Sequence, residues 1–498
     1  MDAVYDGMFG LYCDKQICSS SPLPPFSPSE RYPEYAFGDV LPCSNNLVYD
    51  GFRQLLKMLQ LDIQNYSSKT WNPFGMLISP GDTVLVKPNL VMDINPKGHG
   101  TDCLYTNPAL IRPVIDYIWI ALQGKGKIIL ADAPMQSCDF TNLCQTSGLG
   151  SMVAWLRTNM VNIDLCDLRD LVSIDTKTGL QQVVKKDSTG TIIDLGHSSQ
   201  FNGLSKAKLD NLRITNYDPS ELAKHHNSFR HEYCISNVLL SADVIINMPK
   251  FKTHRKAGIT GALKNLIGVN ARKEYLPHHT KGSKTVGSDE YAKSGILQSF
   301  ASNAVDKRNA KLQQSKNNFI QAVSAQITEV LFRFARILQK LQSKKMYEEG
   351  SWYGNDTIWR TILDINKIAL YADSHGVIQN AQQRKILTIG DGIIAGEGEG
   401  PLLPSPKHLG IITFADNSIA HDIAQARIMG TDYTLIPTIK HAYENYADYS
   451  GTSKNPSLIK CVSNNHRYNE HALCELPTTE TGAFIPAEGW KKIFLRTN

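Results

Sequence analysis

No pair among the ten cysteines, at positions 13, 18, 43, 103, 138, 144, 166, 234, 461 and 474, has the CxxC spacing of a zinc ribbon, a dithiol redox site or a ferredoxin cluster. An iron–sulfur cluster is therefore not expected. Scattered thiols in a 498-residue chain whose first residues show no secretion pattern predict reduced, mostly buried cysteines and a cytoplasmic location. Long apolar runs are also missing. Nothing approaches ~18 uninterrupted apolar residues, so no transmembrane segment is expected. Against 52 Lys and Arg stand 47 Asp and Glu, and a net charge of +5 is too small to point to nucleic acid. The phosphate loop G-x-x-x-x-G-K-[ST], the dinucleotide turn G-x-G-x-x-G, the zinc motif H-E-x-x-H and the nucleophile elbow G-x-S-x-G are all absent. Their absence disfavours the enzyme classes built on them.

What is present is an ordinary globular composition, 42% hydrophobic and 20% charged, with enough apolar surface for a large core. Short apolar and β-branched runs predict strands at 83–91, 127–132, 243–248, 385–390 and 409–414. Helical periodicity predicts helices at 47–62, 107–122, 258–267 and 416–429, the second with Asn107 as N-cap and Pro108 at its first position. Alternating strands and helices imply an α/β fold with a mostly parallel sheet and helices on both faces. Residues 1–46, rich in Pro and Ser, read as an extended leader. Residues 47–299 form the first part of the core, with a β-rich excursion at 171–235. Residues 300–345 read as a long helical insert, 346–432 as the second part of the core, and 433–498 as a C-terminal extension.

In open α/β sheets ligands bind beyond the carboxyl ends of the strands, and the residues there are polar and charged. They include Lys87 and Asn89 after the first strand, and the segment PKFKTHRKAGITGALKNLIGV, residues 249–269, after the third. Lys250, Lys252 and His254 alternate along an extended stretch and so project to one side. Gly258 and Gly261 precede a predicted helix carrying Lys264 and Asn265, and free N–H groups at a helix start attract anions. This cluster suits a phosphate or a carboxylate. After the fourth strand, residues 390–401 hold five glycines and three carboxylates, which predicts a tight wrap that presents Asp391 and Glu399. With Asp422 in the next helix, these acids suit a hard divalent cation, magnesium or manganese, or a proton-transfer role. His278 and His279 lie in a polar loop and read as solvated as readily as liganding.

Taken in order, VLVKPNLV, TNPALIRPVIDYI, KIILADAP, ADVIINMPKFKTHRKAGITGALKNLIGV, IGDGIIAGEGEGP and FADNSIAHDIAQARIMG resemble the family called domain of unknown function 362, over roughly residues 80–270 and 385–430. The resemblance implies an α/β scaffold. Many members of that family carry a ferredoxin-like insert with clustered cysteines, which this chain lacks. The family is also similar in fold to the amino-terminal part of nickel-pincer lactate racemases, which implies a scaffold able to hold a phosphorylated cofactor.

Three functional expectations follow. The first is an enzyme acting on an anionic small molecule with a divalent cation: Lys250, Lys252, Lys264 and Asn265 hold the anion, while Asp391, Glu399 and Asp422 hold the metal or move a proton. The second is a racemase-like hydride-transfer enzyme with a nickel-containing cofactor near Lys87 and His254. The third is a non-catalytic anion-binding protein. Separately, apolar residues recur at helical spacing over 316–344, with a basic opposite face. That stripe is expected to pack on the core, to form a homodimer contact, or to lie on a membrane surface.

Overall fold

The computed structural model describes residues 7–37, 45–176, 179–184, 190–215, 217–293, 296–314, 349–450 and 455–494. The stripe at 316–344 lies outside them. Of the expected helical insert, residues 300–314 are described, as part of the helix Ile296–Gln314.

The strands that position the site are β1 (Phe9–Cys13), β2 (Thr83–Pro88), β3 (Lys127–Asp132), β4 (Ile163–Asp167), β5 (Val244–Met248), β6 (Lys250–His254), β7 (Gly258–Thr260), β8 (Lys385–Glu399), β9 (Leu403–Ala415) and β10 (Cys461–Ser463). Among the described residues they form one sheet in the order β10-β1-β9-β8-β5-β2-β3-β4, with β6 pairing to β8 and β7 to β6. The pairings of β8, β5, β2, β3 and β4 are parallel, whereas β8 with β9 and β9 with β1 are antiparallel. The excursion contributes small antiparallel pairs, such as Gly190–Asp194 with Glu232–Ser236.

The central strands read as continuous apolar runs because both of their faces are covered. Val84, Val86, Ile128, Leu130, Val244 and Ile246 pack with helices α1 (Leu47–Met58) and α2 (Pro108–Leu122). On the opposite face, Leu85, Ile129, Ala131 and Ile245 join the residues of α4 (Ile358–Tyr371) and α5 (Ser418–Ile428). Asn107 caps α2, accepting a hydrogen bond from the Ala109 N–H at 2.9 Å. No helix among the described residues is long and apolar enough to cross a membrane.

Three expectations need correction. The leader is packed: β1 lies between β9 and β10, and Ile17, Phe26, Tyr35 and Phe37 are buried. Five residues containing a glycine are too short to show a strand period, yet Gly10 lets Leu55 of α1 and Leu59, just after its end, close onto the sheet. The glycine-rich stretch after residue 390 is no tight wrap either. It continues β8 to 15 residues in a long hairpin with the 13-residue β9, interrupted by a bulge near Gly392. Its glycines admit neighbours: a Cβ on Gly390 would overlap His421 and Thr413, and one on Gly396 would lie 2.7 Å from the Cys103 carbonyl. Finally, the predicted helix 258–267 is a strand, β7, followed by one short helical turn, α3 (Ala262–Asn265).

Candidate functional site

A cavity of about 160 Å³ opens beyond the carboxyl ends of β2 and β3, against the segment that runs from β6 to α3. Its lining includes the apolar side chains of Val91, Ile214, Ile267 and Leu276. It also carries Arg255, Lys256, Lys264 and Lys273, together with His254 and His278. Asp132 is the one carboxylate on the lining among the described residues, and it is already engaged. It receives the Lys87 ammonium at 2.6 Å and the Leu90 N–H at 2.7 Å. The cavity therefore has an excess of positive charge.

Two glycines explain how Lys264 comes to face it. Gly261 lies against the Asp422 carboxylate, where any Cβ would overlap the oxygens. That closeness lets Asp422 accept hydrogen bonds from the N–H groups of Ala262 and Leu263, at 2.5 and 3.1 Å, and so cap α3. Gly268 makes the same allowance for the Lys87–Asp132 pair, with the position of a Cβ only 2.7 Å from Lys87 Nζ. Between the two glycines, Asn265 donates to the Lys87 carbonyl and to Asn247 Oδ1, and accepts from Asn89 Nδ2. The turn is fixed on three sides, and Lys264 is left pointing away from it. The expectation that the start of α3 grips an anion is thereby corrected, because Asp422 already occupies its free N–H groups. Gly258, with φ of 83°, sits against the Trp490 ring and not on the cavity.

The electrostatics follow from burial. The Lys264 ammonium makes no hydrogen bond or ion pair among the described residues. Burial, reinforced by the charges of Lys273 and Lys87, pushes its pKa down to about 7. Burial likewise lowers Lys273 to about 8, and Lys256 to about 8 even though its ammonium donates to Thr215 Oγ1 at 2.8 Å. Neutral polar atoms are also left over: Thr260 Oγ1 and both atoms of the Gln136 amide are buried without a well-formed hydrogen bond. Buried donors and acceptors in native proteins normally find partners, so a lining of this kind is matched to a polar ligand.

The two histidines are held in opposite tautomers. His254 Nδ1 accepts hydrogen bonds from the N–H groups of Lys256 and Ala257, both at 3.1 Å, so the ring proton sits on Nε2. His278 Nδ1 faces the Leu276 carbonyl at 2.6 Å and must donate, which leaves Nε2 bare. Burial and the surrounding cations lower the pKa of both rings well below the usual range, so both stay neutral. One ring can only donate. The other can only accept.

Of the residues singled out in the sequence, Asn89, His254, Lys264 and Asn265 line the cavity, and Lys87 reaches it through Asp132. Lys250 and Lys252 do not. Lys250 forms a fully buried ion pair with Asp391 at 2.8 Å. Lys252 donates to Asn89 Oδ1 at 2.8 Å and to the Leu104 carbonyl at 2.6 Å, behind the lining. The three proposed metal acids do not converge. Asp391 accepts from Lys250, Asn107 N–H and Ile393 N–H, Glu399 from Glu488 N–H, and Asp422 caps α3. Among the described residues no group of three His, Cys, Asp or Glu side chains is placed to hold a metal ion. These acids therefore do not fit a divalent cation. A phosphorylated nickel cofactor would find counter-charges for its anionic part but one free imidazole nitrogen, His278 Nε2, for its metal. The residues fit only the anionic part of such a group.

Arg255, Lys256, Lys273, Gln136 and the base-like His278 were not singled out as site residues. The basic run T-H-R-K was the available signal for the first two. Lys273 and Gln136 arrive from separate loops that only the fold brings together.

One family model, described as domain of unknown function (DUF362), matches the chain over residues 84–190 and 175–427. No curated protein and no solved structure matches it.

Proposed function

Since the chain belongs to the DUF362 family, whose description assigns no reaction, we propose a function from the cavity itself: an enzyme that binds a phosphorylated or carboxylated small molecule among Arg255, Lys256, Lys264 and Lys273 and moves a proton through His278. The observation that carries this reading is the Lys264 ammonium, without a partner among the described residues and sharing a small cavity with three other cationic side chains and one committed carboxylate. Unneutralised cations in a partly apolar site are costly, and an anion removes the cost. Lys87 serves by holding Asp132. His254 Nε2–H donates to the ligand, and the bare His278 Nε2 is the group able to accept a proton from it. The apolar residues of the lining accommodate the rest of a molecule larger than inorganic phosphate.

Calorimetric titration with phosphate, pyrophosphate and short carboxylates tests the reading. Binding to the wild-type chain that weakens tenfold to a hundredfold in both Lys264→Ala and Lys273→Ala is the expected result, as for loss of a charge-assisted hydrogen bond of about 1.5–3 kcal/mol. Equal affinity in wild type and both variants would remove the anion from this cavity. Binding without turnover of any anion that co-purifies with the chain would instead favour a non-catalytic carrier.

A further inference from the structure

The geometry points to Lys264 as an imine-forming nucleophile, and so to a ligand whose anionic group is joined to an aldehyde or ketone. This rests on the anion-binding reading of the same cavity and adds the class of compound. Most buried lysines end in a carboxylate or a row of carbonyls, as Lys250 and Lys252 do here. Lys264, half-buried, ends in neither among the described residues, although the turn that carries it is pinned by Asp422 on one side and by the Asn89–Asn265–Asn247 chain on the other. A rigid support under an unpaired amine is what a positioned nucleophile requires. Desolvation, reinforced by the neighbouring cations, also keeps a substantial share of the amine neutral near pH 7, the form that attacks.

The remaining groups match the steps of the reaction. Arg255, Lys256 and Lys273 hold the carboxylate or phosphate and place the carbonyl carbon over Lys264 Nζ. The lone pair of the neutral amine forms the C–N bond as the carbonyl π pair moves onto oxygen, which takes up a proton from solvent to give a carbinolamine. His278 Nε2 accepts the proton that the nitrogen sheds and returns it to the hydroxyl, whose C–O bond then breaks. The products are a protonated imine and one water molecule. No oxidant or reductant enters. His254 Nε2–H is a fixed donor suited to the carbonyl oxygen. The imine draws electrons from the adjacent carbon, so the chemistry it serves is proton removal or bond cleavage at that carbon.

Borohydride trapping on the full chain tests this. Wild-type protein is incubated with pyruvate or glyceraldehyde 3-phosphate, reduced, digested and mapped by mass spectrometry, in parallel with phosphate titration by calorimetry. One adduct per chain on the peptide containing Lys264, suppressed by excess phosphate, supports the proposal. Lys264→Arg cannot form an imine, so it should give no adduct on that peptide. Trapping about tenfold faster at pH 8 than at pH 6 is expected for a pKa of about 7, because the neutral amine reacts. Phosphate binding without a phosphate-sensitive adduct at Lys264 overturns the imine and leaves the anion reading standing. Adducts scattered over many lysines, indifferent to phosphate, overturn it equally. Neither binding nor adduct overturns both readings. Because mapping on wild type reports the modified lysine directly, the result does not depend on any variant folding.

Discussion

Two segments look equally chemical as sequence, the basic residues 249–269 and the acidic, glycine-rich residues 390–401, yet they fold to different ends. In the acidic segment every carboxylate is answered. Asp391 is closed by Lys250 and two backbone N–H groups, Glu397 by Lys407 and Ile485 N–H, and Glu399 by Glu488 N–H. In the basic segment Lys250 and Lys252 are answered and Lys256 reaches only the Thr215 hydroxyl, while Lys264 has no partner among the described residues. The density of charged residues was similar. What separates the segments is the charge left over after folding, and that remainder marks the site.

The comparison can be broken most forcefully at its shared contact. Lys250→Ala leaves Asp391 charged, buried and short of a partner, so it should cost about 3–5 kcal/mol in denaturant unfolding, enough to unfold a marginal chain. A loss below about 1 kcal/mol would show that Asp391 is not the closed structural acid described here.

Lys264→Ala should act in the opposite way. The melting temperature should hold or rise, because a half-buried ammonium with no partner among the described residues is removed, while phosphate affinity falls by ~1.5–3 kcal/mol. Gly261→Ala should come next, at about 1–3 kcal/mol of stability, since its methyl displaces the Asp422 carboxylate from the start of α3. Circular dichroism melts would register it, and a wild-type melt would mean that Asp422 can move without loss.

The pH dependence sharpens the contrast further. The folded pKa of Lys264 is about 7, against ~10.4 for an unfolded lysine, so between these values the unfolded chain holds more protons. Ligand-free stability should therefore rise with pH across that window. Phosphate affinity should fall over its lower part, as Lys264 and then Lys273 and Lys256, both about 8, lose charge. Calorimetry at pH 6.5 and pH 9 would reveal it, and a flat profile would contradict an anion held by these lysines. The smallest effect belongs to Glu399→Gln, whose single backbone contact near the surface should change stability by no more than ~0.5 kcal/mol.

Much of the fold was legible in the sequence because its signals are local. The apolar runs at β2, β3 and β5 and the Asn-Pro start of α2 need no distant partner to be read. The site was legible only in part. Lys264 and His254 stood out because they share one short basic stretch. Gly261 was read as a ligand contact when it makes room for a carboxylate 161 positions away in sequence, and Asp391 as a metal ligand when its partner Lys250 is 141 positions away. Whether a charge is satisfied is a property of the folded chain. Spacing along the sequence does not report it.

The position of β1 also sets a schedule. Its neighbours are β9 and β10, and Gly7 bonds to Asp416, 409 positions further on. At ~5–20 residues per second, synthesis needs about 20–80 s to deliver those partners after β1 has left the ribosome. Throughout that interval the strand must be kept from pairing with anything else, and the sheet cannot close from this side until translation is well advanced. Binding of a chaperone to nascent chains should therefore persist at residues 9–13 until β9 is exposed, long after β2, β3 and β5 have been able to assemble.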